Sequence, residues 1–362
     1  MLQGAAAMLA APWIVRDAFA SSGQLNLLGW SGVEMAPVFK LFTAKTGITV
    51  NFLAAPDNAT MLAQARLAAQ NGAIDCAEPT LDQVPLYLSG NLVQPWDMSK
   101  IPLESYESGL VSGEIGKRSI SGGKRHFLPS TWGTEALVFD TLRKPEVYGT
   151  ASLADLFDPG NAGRVMLRPV SGLTALGRLL DAQGKLPLPL ADSFRGDDAT
   201  RKVWDVILAE ALKHRANVGA FWSGMQDAQQ GFRGNACTLG LCWDAIGFAL
   251  QADNQPVSYI APKEGAFAWS QGYMLLRGAK NTAQAIEWVK FTATPQGSAA
   301  NAKAFSANPS AKGAVALLDP AFAKFYAAAY PEDAVSRLWW WPASTEAFLK
   351  TRAEYGDRFL KG

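Results

Sequence analysis

The chain is short of histidine, cysteine and net charge. Of its 362 residues only 2 are His and 3 are Cys, and 33 basic residues against 32 acidic leave a formal charge of +1. Two histidines leave little room for imidazole chemistry, which weighs against hydrolases and metalloenzymes. His126 in "KRHFLP" and His214 in "ALKHRAN" have the contexts of a strand edge and an exposed helix. There is no GxSxG nucleophile elbow and no GxxxxGK[ST] phosphate loop, so neither that hydrolase class nor an ATPase is indicated. A near-neutral chain has no electrostatic footprint for nucleic acid or an anionic membrane surface. Acid and His spacings typical of metal sites are lacking as well, and neither a metal nor a cofactor is expected. No apolar run reaches the roughly 18–20 residues that a membrane span needs.

What the chain does have is apolar and aromatic: 49% of residues are hydrophobic and 12 are Trp. That is enough for two domains of ordinary size and for aromatic contact surfaces. The first twenty residues, "MLQGAAAMLAAPWIVRDAFA", end in a small-x-small cleavage pattern at Ala18-Phe19-Ala20. They read as a signal peptide spanning 1–20, and "MLQGAAA" has the look of a twin-arginine leader truncated after its arginine pair. The alternative is an amphipathic first helix. Export to an oxidising compartment makes Cys76, Cys237 and Cys242 an odd set. Cys237 and Cys242 lie five apart along a predicted strand and so point to opposite faces, and all three read as small buried apolar residues.

The periodicity alternates. "LNLLGW" (25–30) reads as a strand, 34–47 as a helix stopped by Gly47, 48–54 as a strand, 59–71 as a helix and 73–80 as a strand. A second alternating unit runs from about 152 to 262, with helices at 174–184, 197–213 and 224–233 and strands at 217–222 and 237–243. Such an order predicts an α/β fold with parallel strands and helical crossovers. The strand-end loops that would line a ligand crevice contain Trp30-Ser31-Gly32, Pro79-Thr80-Leu81-Asp82 and Ser130-Thr131-Trp132-Gly133.

Seven colinear stretches carry a family likeness: "LNLLGW…FTAKTGITVNF", "GAIDCAEPT", "LPSTWGTEALVFD", "SLADLFDPGNAGRVML", "NVGAFWS", "LGLCWD" and "APKEGAFAWSQGYML". In order and spacing, from about residue 25 to 310, the chain resembles the periplasmic substrate-binding proteins of spermidine/putrescine ABC importers. The resemblance implies the two-lobed periplasmic binding protein fold, type II, with a ligand cleft between the lobes. It places 21–137 plus 266–316 in one lobe and 138–265 plus 317–362 in the other. It further implies a soluble periplasmic monomer that closes about its hinge on one small solute and delivers it to an ABC permease served by a separate ATPase.

The resemblance also supplies site residues. Trp30, Trp243 and Trp269 stand where the family boxes an alkyl-ammonium between aromatic faces, with Phe305 a fourth candidate. For each, a plain core role is the alternative. Several carboxylates of a polyamine site are missing: Gly32 and Val33 stand where an acid and an aromatic are usual, Val170 and Leu173 where two further acids are, and Gln271 in place of an aspartate. Asp82 and Asp244 remain, Asp82 being equally readable as a solvated turn residue. Asp244 follows Trp243 in the apolar stretch "LGLCWDAIGFAL", where a bound ammonium is expected to supply its counter-charge. Arg168 is read either as a carboxylate ligand or as an ordinary salt-bridge partner. The expected solute is therefore polyamine-like, or a zwitterion of γ-aminobutyrate type with its amine at Asp244 and its carboxylate at Arg168. Ser31, Thr131, Ser223 and Ser270 are candidate hydroxyl contacts, and Trp132 and Gln271 complete the expected lining. "RLWWWPAS" (337–344) is expected to cement the last helices, with Trp340 the exception that reaches the cleft. Tyr326 and Tyr330, four apart, resemble the tyrosine pairs of ferric-ion binders, a more distant branch, and suit helix packing at least as well. A ligand sensor that presents its closed form to a receptor and an enzyme on the same scaffold are the alternative functions.

Overall fold

In the computed structural model, which describes residues 23–234 and 236–362, two α/β units share one long twisted sheet. The predicted leader at 1–20 lies outside the described residues. In the first unit, strand Gln24–Trp30 pairs in parallel with Thr49–Ala55 on one side and Cys76–Ala77 on the other. The helices between them start and stop as their sequences dictate. Ala36–Thr46 has a proline in its first turn and ends at Gly47, whose φ of 74° only glycine adopts cheaply. Asn58–Asn71 is capped by the Asp57 carboxylate, which accepts from the Thr60 amide, and ends at Gly72 with φ of 66°.

In the second unit Val165–Leu167 pairs in parallel with Val218–Phe221 and Leu239–Trp243. Helices Pro169–Ala182, Asp198–Lys213 and Met225–Arg233 fill the connections. Two antiparallel strands run between the units: Leu128–Asp140, buried at all 13 positions, and Phe267–Leu275. Their register shifts between Gln271 and Gly272, opposite Pro129, which has no amide to give to the ladder.

The apolar clusters divide along the same line. Leu25, Val38, Phe42, Trp288 and Tyr273 belong to one group, whereas Leu137, Trp204, Leu241 and Phe267 belong to another. The last helix, Glu346–Lys361, inserts Phe348, Tyr355 and Phe359 into the second group, while its Leu349 packs against a first-unit cluster containing Leu28, Ala55 and Met61. No helix among the described residues is long and apolar enough to cross a membrane.

Three expectations are corrected here. Ser130-Thr131-Trp132-Gly133 is not a loop but lies inside the long strand, because the polar run is paired on both edges. Trp269 is the third residue of its strand rather than a strand end, whereas Trp30 and Trp243 do end theirs. The predicted strand 73–80 shrinks to Cys76–Ala77. All three cysteines are free and buried, and burial pushes the Cys237 thiol up to about 11.

Candidate functional site

The register of the long strand sorts the expected site residues onto two faces. Side chains alternate along a strand and directly opposed residues share a face. Thr131 with Gln271, Gly133 with Trp269, and Glu135 with both Phe267 and Trp243 therefore stand on one side. Trp132 with Ser270 and Asn308, and Thr134 with Ala268, stand on the other.

On the first face, Gln271 donates to the Thr131 hydroxyl at 3.0 Å. The indole of Trp269 packs against Gly133, so close that a Cβ there would come within 2.3 Å of the ring. Its Nε1 is buried and has no acceptor. Next along the strand, Glu135 is fully buried and binds Arg168 at 2.5 Å, while Arg168 Nε donates to the Ser171 hydroxyl. The guanidinium lies 5.3 Å from the ring centres of both Trp222 and Trp243, which meet edge to face at 4.9 Å. Burial raises the Glu135 carboxyl above its ordinary value, and the positive charge of Arg168 pulls it back. Arg168 thus takes the salt-bridge alternative rather than standing free for a ligand carboxylate.

The other face is saturated with hydrogen bonds. Asp244 is buried, and its Oδ2 accepts from the Thr134 amide at 3.1 Å, the Tyr330 hydroxyl at 2.9 Å and Asn308 Nδ2 at 3.2 Å. Oδ1 accepts from the Ala245 amide at 3.0 Å. The Thr134 hydroxyl lies 2.6 Å from both the Tyr259 and Tyr330 hydroxyls. Burial pushes the Asp244 carboxyl up to about 6, against the pull of these donors. The expectation that Asp244 must find its partner in a bound ammonium is corrected: four neutral donors of the chain itself supply it. Nor does Asp244 face Arg168 across a cleft, because the two engage opposite faces of the same strand. Trp132 belongs with this network, donating to the Pro309 carbonyl and packing 5.8 Å from Tyr330. Tyr326 and Tyr330, 5.0 Å apart, pack as expected. Ser270 donates to the Thr131 carbonyl.

The remaining residues scatter. Trp30 is half-buried and donates to the Glu78 carbonyl. Asp82 accepts from Thr80 at 2.6 Å, Gln83 at 2.5 Å and Ser344 at 3.0 Å, so it is neither a loose turn residue nor unpartnered. Ser31 is exposed, and Ser223 spends its hydroxyl on Asp227 in the first turn of the helix that follows. Phe305 packs on the first-unit core with Phe42 and Trp288. Trp339 and Trp341 pack on Phe267, and Trp340, half-buried, pairs with Ala268. Segment 337–346 thereby straps the first face. Ser344 holds Asp82, Arg118 donates to the Trp341 carbonyl at 2.7 Å, and Glu346 pairs with Arg66. Two surface depressions, of about 280 and 360 Å³, lie elsewhere, around Phe248 and Phe322 and around Arg66 and Arg277.

Sequence reasoning passed over Glu135, Trp222, Arg352 and Asn308, and read Tyr330 for helix packing but not as a partner of Asp244. Glu135 carried the same signal as Asp244, an acid inside an apolar run; the others carried none.

Residues 38–331 match the family model of bacterial extracellular solute-binding proteins. The chain belongs to that family. Among curated members of similar sequence are the putrescine/agmatine-binding protein of Pseudomonas aeruginosa, 23% identical over 77% of this chain and 76% of that one. The putrescine-binding periplasmic protein PotF of Escherichia coli is 25% identical over 75% and 73%. A solved spermidine/putrescine ABC transporter protein from Listeria monocytogenes superposes with a TM-score of 0.73 at 20% identity, covering 94% of this chain and 99% of that one. A GABA receptor, Atu4243, gives 0.69 at 18%, covering 93% and 96%. This solute-binding protein therefore has the bilobal fold of the periplasmic binding proteins.

Proposed function

We propose that this protein captures a small amine-bearing zwitterion in a cleft over the Gly133–Glu135 face of the long strand and delivers it to an ABC permease. The observation that carries the reading is the composition of that face. Trp269, with its buried and unpaired Nε1, stands on the same face as Trp243, and a cation over such rings gains about 0.5–2 kcal/mol. The amine is suggested by the putrescine-binding relatives, but the charges do not suit a polycation. Glu135 is already neutralised by Arg168, and Gln271 is uncharged. A long polyamine would meet too few free carboxylates. A short solute with one amine and one acid fits better.

Trp30, Asp82 and Gln271 border this face in the reading; Ser31, Ser223 and Phe305 are peripheral to it. In this reading the lobes divide near residues 137, 266 and 316, and strands Leu128–Asp140 and Phe267–Leu275 act as the hinge; the separate groups around Phe42 and Trp288 and around Trp204 and Leu241 support two lobes, although Phe267 packs with the second. Hinge closure would then make the strap contacts to Asp82, Arg118 and Arg66 in the ligand-bound form. Periplasmic export and a monomeric state complete the reading.

The test is calorimetric titration of the refolded, ligand-stripped protein with putrescine, spermidine, 4-aminobutyrate, proline and a betaine. Binding of a zwitterion in preference to the polyamines is expected. Tight binding of spermidine, with no response to the zwitterions, refutes the short-solute reading.

A further inference from the structure

The Glu346–Lys361 helix brings a second arginine to the same cleft. Arg352 shares a helical face with Leu349 and Gly356, three residues before and four after it. Leu349 packs on the first-unit cluster containing Leu28, Ala55 and Met61. Gly356 sits so close to Val170 that a Cβ there would be 3.0 Å from its Cγ2. Arg352 is thereby held between the strand ends of the first unit and the first turn of helix Pro169–Ala182, directly after Arg168. The charges of Asp82 and Arg168 both reach it.

Despite this placement Arg352 makes no hydrogen bond or ion pair among the described residues. Its guanidinium Cζ lies 5.8 Å from the centre of the Phe348 ring. Arg352 is half-buried and none of its nitrogens is among the buried unpartnered polar atoms, so its guanidinium reaches solvent and is open to an anion. The neighbouring charges do not balance it. Arg168 and Glu135 cancel each other. Asp82, the acid within reach, is shared with Arg118 and is already filled by Thr80, Gln83 and Ser344. The cleft therefore carries an excess of positive charge, opposite to what a polycation needs.

The geometry points to Arg352, not Arg168, as the residue that receives the carboxylate of the bound solute. This rests on the proposed cleft and sharpens its ligand class to amino acids with a free carboxylate, excluding diamines. The planar fork of arginine suits two-point contact with a carboxylate.

Calorimetric titration of the parent, Arg352→Gln and Arg352→Lys with 4-aminobutyrate, putrescine and succinate tests it. The parent is expected to prefer 4-aminobutyrate to putrescine. Arg352→Gln should weaken 4-aminobutyrate by roughly tenfold or more, as loss of a charged hydrogen-bonding pair does, with Lys recovering part of it. Putrescine binding should change little. A parent that binds diamines alone, or a Gln variant that binds 4-aminobutyrate like the parent, overturns the assignment of Arg352 while leaving an amine-binding cleft. A parent that ignores every amine yet binds succinate through Arg352 sinks the amine reading and the amino-acid class, and keeps only Arg352 as the partner of the carboxylate. Binding of neither carboxylate overturns it. The preference of the parent is informative even where a variant fails to fold.

Discussion

The two faces of strand Leu128–Asp140 carry similar residues and opposite degrees of satisfaction. On the Thr134 face, the Asp244 carboxylate, three hydroxyls and an amide close on one another with few bonds left to make. On the Glu135 face, Trp269 Nε1 and Glu135 Oε1 are buried without partners and Arg352 has no anion nearby that is free. A polar group filled by its own chain is a structural element, whereas one left open is either a liability or a place for a ligand. Residue type alone would have ranked Asp244 above Glu135 and Arg168 above Arg352. Partner counting reverses both rankings.

The largest effect that breaks or upholds this contrast is expected at Asp244. Asp244→Ala strands the Thr134 amide, the Tyr330 hydroxyl and Asn308 Nδ2, and should cost about 3 kcal/mol or more in urea unfolding. Affinity of the folded fraction for its solute should stay near that of the parent. A variant of parental stability that no longer binds would move Asp244 to the ligand side.

Glu78 gives the next effect, through pH. It is fully buried with Oε1 accepting from Ser130 at 2.6 Å and Oε2 unpartnered, and burial pushes its carboxyl up from 4.5 to about 8. The folded state therefore holds a proton that the unfolded state releases above about pH 4.5. Stability should fall as pH rises from there to about 8, by on the order of a few kcal/mol. Asp244, raised from 3.8 to about 6, adds loss of the same sign over that lower window. Melting curves of the parent and Glu78→Gln at pH 5 and pH 9 check this. The variant should gain at pH 9 and differ little at pH 5, and equal slopes in both proteins would exclude Glu78.

Gly133→Ala tests the open face. The added Cβ would collide with the Trp269 ring, so the ring must move, at a cost of about 1–3 kcal/mol. Near-ultraviolet circular dichroism should change and solute affinity should drop; an unaltered affinity would remove Trp269 from the cleft. Tyr330→Phe sharpens the closed face with the smallest change, about 1 kcal/mol for one hydroxyl in a network that keeps its other donors, with binding intact.

Much of the fold was legible. The helix stops at Gly47 and Gly72 and the alternation of strand and helix follow from local periodicity and backbone preference, which act over a few residues. The site was legible only as an inventory. The aspartate in "LGLCWDAIGFAL" was rightly read as an anomaly needing a partner, but its partners lie 64, 86 and 110 residues away. Tyr330 looked like helix packing, which it also does, and nothing in "KTRAEYG" distinguishes Arg352 from any helical surface arginine.

By itself, then, the sequence determined two α/β units, the strand ends that carry Trp30 and Trp243, and an apolar aromatic character with little charge to spare. These depend on residue type and short-range order. Tertiary structure decided which groups face one another, because strand register assigns each side chain to a face and a one-residue difference separates Thr134 from Glu135. It also decided which charges are free, since partners of Arg168, Asp244 and Asp82 come from distant parts of the chain.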